Sequence, residues 1–113
     1  MSEELSSKKC IPCEGGIPAF NEEQINNFLK KIDNWSAEKD EEGKFYLIKE
    51  FEFKNFLGSQ DFVNKVGDLA EKEGHHPDLY YGWGYAKVKI YTHAIGGLAE
   101  SDFILAAKID KIN

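Results

Sequence analysis

Three histidines, His75, His76 and His93, are the only ones in a chain of 113 residues. All three fall between positions 75 and 93. Imidazole exchanges protons near neutral pH, so a His cluster is suited to acid–base catalysis without a metal. His75 and His76 follow a predicted helix C-terminus, which favours the charged ring and poises both as acids. His93 ends a predicted strand, and neighbouring elements of a small sheet can bring such positions together. The same residues also fit a plainer reading, as helix-capping and solvated loop side chains. Glu71 precedes His75 by one helical turn and could orient it, or could be a solvated carboxylate. Asp102 lies in the first turn of a predicted helix, where the dipole stabilises a carboxylate with or without chemistry.

Cys10 and Cys13 form a CxxC pair with no second pair. The pair precedes any predicted strand and encloses Pro12, unlike a thioredoxin-type motif. Reduced, structural or incidental thiols are the favoured reading over a Zn site, and no metal is expected. Tyr80, Tyr81, Trp83, Tyr85 and Tyr91 crowd the His region. They suit either a flat heterocyclic ligand or cross-strand packing. Gly82–Gly84 and Gly96–Gly97 lack the strand–GxGxxG–helix context of a phosphate cradle. The residues alone describe a small acid–base enzyme acting on a planar molecule, or a binding module with the same surface.

The elements that must position these residues follow from periodicity. Residues 1–9 read as a disordered polar leader, and residues 10–18 as an irregular loop. Asn21 and Gln24 form a capping box before Ile25, Phe28, Leu29 and Ile32, one apolar helical stripe. A strand from Trp35 to Lys39 and another from Phe45 to Phe53 flank the turn at Asp40–Gly43. In the second strand Phe45, Leu47, Phe51 and Phe53 share one face. A helix over 55–73 buries Phe62, Val63, Val66, Leu69 and Ala70 and stops at Gly74. Two further strands, near 79–84 and over 85–93, precede a last helix over 99–112 that buries Leu105, Ile109 and Ile112. The order α-β-β-α-β-β-α predicts a two-layer α+β domain over 18–113, a four-stranded antiparallel sheet with helices on one face. The other face, with Tyr46, Ile48, Tyr85 and Tyr91, is left uncovered.

Composition narrows the partners. The chain has 14 basic residues, all Lys, against 20 acidic ones, and a net charge of −6. With no Arg and an acidic balance, nucleic acid and substrates gripped by a guanidinium fork are not expected. No run approaches the length of a membrane span, and no secretory signal is read at the N-terminus, so a cytoplasmic protein is expected.

The segment Glu71-Lys72-Glu73-Gly74-His75-His76-Pro77, followed by His93, Gly97-Leu98 and Asp102, resembles the pterin-4a-carbinolamine dehydratases. The resemblance spans roughly residues 18–112 and includes the element order. It implies removal of water from a 4a-hydroxytetrahydropterin to give the quinonoid dihydropterin, in recycling the cofactor of aromatic amino acid hydroxylases. It implies His75, His76 and His93 as the catalytic residues, with Asp102 and Glu71 supporting them and Pro77, Asp78 and Trp83 shaping the substrate pocket. No metal or organic cofactor is implied, and the partners are a pterin and further copies of the chain, as a homodimer or homotetramer. Two departures stand out. Leu79 replaces a common Trp, for which Trp83 and the tyrosines would substitute. Ala99 replaces a capping Ser or Thr, which removes a cap and deprives Asp102 of its usual partner. Two other functions remain open: a non-catalytic assembly or partner-binding role on the same fold, and a pterin enzyme of folate or molybdopterin metabolism.

Overall fold

In a computed structural model, residues 5–8 and 18–112 are described. Three α-helices, α1 (Glu22–Leu29), α2 (Phe56–Glu73) and α3 (Glu100–Asp110), cover one face of a sheet of four strands. The strands are β1 (Ser36–Lys39), β2 (Phe45–Glu52), β3 (Asp78–Gly82) and β4 (Tyr85–Ile90). They lie in the order β1-β2-β4-β3, every neighbour antiparallel. The predicted element order and fold class are those observed.

Strand alternation sorts the two faces. Leu47 and Phe51 of β2 and Ala86, Val88 and Ile90 of β4 point into the core. There they meet Phe62 and Val66 of α2 and Phe103, Leu105 and Ile109 of α3. The helix starts follow their caps. Asn21 and Gln24 exchange side-chain bonds with each other's backbone N–H, and Asn55 Oδ1 accepts from Gly58 N–H at 2.7 Å. α3 is buried nearly all round, including Phe103, Ile104 and Ala106. An amphipathic stripe therefore understates what it buries.

Residues 5–8 are not a loose leader. Leu5–Ser7 form one 3₁₀ turn whose Leu5 side chain joins the core. Lys108 Nζ donates to Ser6 O at 3.1 Å, and Lys8 pairs with Glu100 at 3.0 Å. The reason is physical: Leu5 is apolar, and burying a Leu side chain is worth about 1.5–3 kcal/mol. Cys10 and Cys13 lie outside the described residues.

Two turns carry testable weight. At the end of α2, Gly74 adopts φ 67° and ψ 26°. Its N–H and that of His75 converge on Ala70 O, which turns the chain out of the helix into the His75–His76 segment. Gly74→Ala must place a side chain in the left-handed region and is expected to cost about 1 kcal/mol, read as a lower melting temperature. In the β1–β2 turn, Asp40 Oδ1 accepts from the N–H groups of Lys44 and Glu42, each at 2.9 Å. The Lys44 bond above all holds the Asp40 carboxyl below the usual carboxylate range. A depressed folded-state value stabilises the fold above the unfolded value, and that stability is lost as pH falls through the folded one. The stability gap between native protein and Asp40→Ala is therefore full at neutral pH and shrinks as pH falls below about 4, which a series of thermal melts will show.

Candidate active site

The site is built where α2 ends, β4 ends and α3 begins. β3 starts at Asp78 opposite Lys89, so His75, His76 and Pro77 run toward the end of β4. Beyond β4, Thr92 and Gly97 form an isolated bridge, with Thr92 N–H donating to Gly97 O at 2.9 Å. The bridge closes a small loop in which His93–Ile95 form a 3₁₀ turn capped by Gly96 at φ 62°. Gly97 itself is packed so closely that a Cβ there would lie 2.9 Å from Ala19 Cβ. The pairing of Gly96 and Gly97 is thus a requirement of shape, and it sets where His93 sits.

The three segments meet on one carboxylate. Asp102 is fully buried. Its Oδ1 lies 2.8 Å from His75 Nε2. Its Oδ2 accepts from Thr92 Oγ1 and from the Ala99 N–H, each at 2.8 Å. Ala99 offers no side-chain cap, as its sequence dictates. The expectation that Asp102 thereby loses its partner does not hold. The backbone N–H of Ala99 and the hydroxyl of Thr92 take that place. Thr92 was not singled out by the sequence; its signal is a hydroxyl next to His93 at the end of an apolar strand, where it must find a buried acceptor.

The histidines are brought together unequally. The His75 side chain is only 15% exposed and engages Asp102 through Nε2. His76 points away, 60% exposed, with its Nε2 3.5 Å from Glu71. Glu71 therefore faces His76 and not His75, because the left-handed turn at Gly74 rotates His75 off the helix face that Glu71 occupies. His93 is exposed, and its Nε2 lies 3.0 Å from the Tyr91 hydroxyl. A pocket of about 230 Å³ opens beside His93, lined among others by Lys44, Phe45, Tyr46, Lys89 and Tyr91. Pro77 is partly buried and Asp78 exposed at the start of β3. Trp83 is not in the group. It sits 71% exposed in the β3–β4 turn, at the opposite end of both strands from the histidines. A strand of five residues puts it roughly 16 Å away. It cannot replace the aromatic side chain absent at Leu79; of the aromatic residues noted near the His cluster, Tyr91 is the one that meets His93. Among the described residues no group of three His, Cys, Asp or Glu side chains is arranged to hold a metal ion.

The family described as Pterin 4 alpha carbinolamine dehydratase matches residues 18–112. The chain belongs to that family. A Rubrobacter xylanophilus protein named for this dehydratase is 42% identical over 109 residues, covering 96% of this chain and 98% of its own length. The mitochondrial pterin-4-alpha-carbinolamine dehydratase 2 of Arabidopsis thaliana is 44% identical over 96% of this chain and 59% of its own. A crystal structure described as a transcriptional coactivator/pterin dehydratase from Brucella melitensis superposes with a TM-score of 0.73. It is 29% identical and covers 83% of this chain and 97% of that one. A pterin dehydratase-like protein identified as a RuBisCO assembly factor shares the fold, with a TM-score of 0.60 at 23% identity, covering 71% of this chain and 89% of that one. The conspicuous motif of this dehydratase-family chain, His75-His76-Pro77, sends its two imidazoles to different surroundings, one onto a buried carboxylate and one into solvent.

The Asp102 lock predicts a graded loss of stability. Asp102→Ala leaves a hydroxyl, an N–H and an imidazole without their acceptor, and is expected to cost about 3–5 kcal/mol. Asp102→Asn keeps one oxygen and is expected to cost less, about 1–3 kcal/mol. Urea midpoints of the two variants will rank them, and an Ala variant of native stability would remove the lock from the account.

Proposed function

We propose that the chain dehydrates a 4a-hydroxytetrahydropterin to the quinonoid dihydropterin by histidine acid–base catalysis. Family membership supports the reaction class. The observation that carries the residue-level reading is the His75–Asp102 pair with His93 one residue beyond Thr92, which is bonded to the same carboxylate.

The chemistry asks for little else. The C4a–O bond must break and the C4a=N5 double bond form. Hydroxide leaves poorly, so an acid delivers a proton to the departing oxygen and water departs. A base takes the N5 proton, and the nitrogen electron pair drives the expulsion. Protons balance: one enters at oxygen and one leaves from nitrogen. In this reading His75 and His93 exchange those protons and His76, freer and beside Glu71, binds and orients the pterin. Asp102 acts by holding the His75 ring in one orientation, as a carboxylate does for a catalytic imidazole in other enzymes. Lys44 and Lys89 are cations near His93, and neither is needed for a neutral substrate. The pterin side chain that fits best, and any role in folate or molybdopterin metabolism, would be decided by the same pocket.

A second reading has an observation of its own. The sheet face away from the helices presents Tyr46, Ile48, Tyr80 and Tyr85, and the β3–β4 turn presents the exposed Trp83. Such a surface suits an assembly or partner-binding role, and a homodimer or homotetramer would also cover it.

The deciding experiment adds the purified protein to freshly formed 4a-hydroxytetrahydropterin and follows the quinonoid product by absorbance. Acceleration over buffer is expected, and His93→Ala should lower it by about 100-fold or more with its melting temperature unchanged. No acceleration by the native chain overturns the enzyme reading and leaves the partner-binding one.

A further inference from the structure

His93 is held by a contact that the reaction outlined above does not use. Its Nε2 lies 3.0 Å from the Tyr91 hydroxyl, and the two rings meet edge to face with centroids 4.8 Å apart at 62°. Between them Thr92 is buried and bonded to Asp102, and Tyr91 packs partly against the core. The backbone on both sides of the contact is therefore fixed. Nδ1 of His93 meets no hydrogen-bond partner among the described residues, whereas Nε2 is occupied. The pocket beside the ring is lined by Tyr91 itself, Lys44, Lys89, Asp40 and Glu42. The Asp40 carboxylate is taken up by backbone N–H groups, and Glu42 lies 3.3 Å from Lys44.

We propose that Tyr91 is a positioning residue for His93: its hydroxyl oxygen accepts from Nε2–H and leaves Nδ1 as the nitrogen that exchanges protons. This rests on the dehydratase reading. Valence sets the direction of this bond. If the hydroxyl donated to Nε2 instead, the neutral ring would carry its proton on Nδ1 and could accept none there. With Nε2–H on the Tyr91 oxygen, Nδ1 can accept a proton as a base. As an imidazolium the ring can give that proton back, and the hydroxyl keeps the same role in both states. No rearrangement of the contact is then needed between the two directions of transfer.

The test uses the full chain with ¹⁵N-labelled histidine. Long-range proton–nitrogen correlation spectra are expected to show neutral His93 as the Nε2–H tautomer, and Tyr91→Phe should mix in the other tautomer without lowering the melting temperature. In turnover, Tyr91→Phe should lower kcat about fivefold with KM little changed. It should have no further effect in a His93→Ala background, because it acts through that ring. A native ring protonated at Nδ1 overturns the proposal, as does a Tyr91→Phe protein of native tautomer and native kcat. A native chain without any turnover strikes the reaction instead, and the spectra still decide the pairing.

Discussion

The buried carboxylate of Asp102 is the constraint on which the rest of the site depends. Taking an ionised carboxylate out of water costs several kcal/mol unless donors replace the lost hydration. Here three replace it, and each comes from a different element: His75 after α2, Thr92 after β4, and the Ala99 N–H before α3. The charge is tolerable only while all three segments stay in place. The cost of burying it becomes a penalty on any conformation in which one of them moves. Among the described residues no buried side-chain polar atom lacks a partner, so nothing nearby competes for those donors.

The surrounding turns make that arrangement reachable. Gly74 turns the chain in the left-handed region, so His75 leaves the α2 face and drops onto Asp102. Gly96 and the tightly packed Gly97 close the loop that returns the chain from β4 to α3. Thr92 sits inside that closure, and His93 projects from it. Elements and turns thus divide the work. The sheet and helices supply the apolar burial, and three glycines set the angles at which the polar groups converge.

Much of this was legible in the residues. Alternation in Phe45–Phe53 and Tyr85–His93 assigns both faces of the sheet, because a half-buried strand has a period of two whatever it packs against. Asn21, Asn55 and Gly74 mark helix ends because capping is a local interaction. What escaped was long-range. Glu71 stands one turn before His75 and could reach it by spacing, though a solvated carboxylate is the favoured reading; the positive φ at Gly74 lies between, and Glu71 stays exposed beside His76 instead. Trp83 is close to the histidines in sequence and at the wrong end of the hairpin in space. Leu5 looked like part of a polar leader, since nothing local reveals that α3 offers it a place in the core. Asp102 looked deprived of a partner by the cap that Ala99 does remove, since a sequence shows side chains and one of the donors it keeps is a backbone N–H.

The two histidines proposed to exchange protons differ in what their presence implies. His75 is committed to a structural task, because it supplies one of the three donors to a buried charge. A chain that had given up catalysis and served only as a scaffold would still lose stability by replacing it, so its retention is weak evidence for chemistry. His93 has no such task. It is exposed and its ring contact is to Tyr91, whose own packing does not depend on the imidazole. Nothing in the fold would resist its replacement. A relative that keeps Asp102 and His75 but lacks His93 is what a scaffold on this fold would look like. A chain that keeps His93 beside a pocket, held through one ring nitrogen with no partner for the other among the described residues, retains a group for which catalysis is the simplest physical reason.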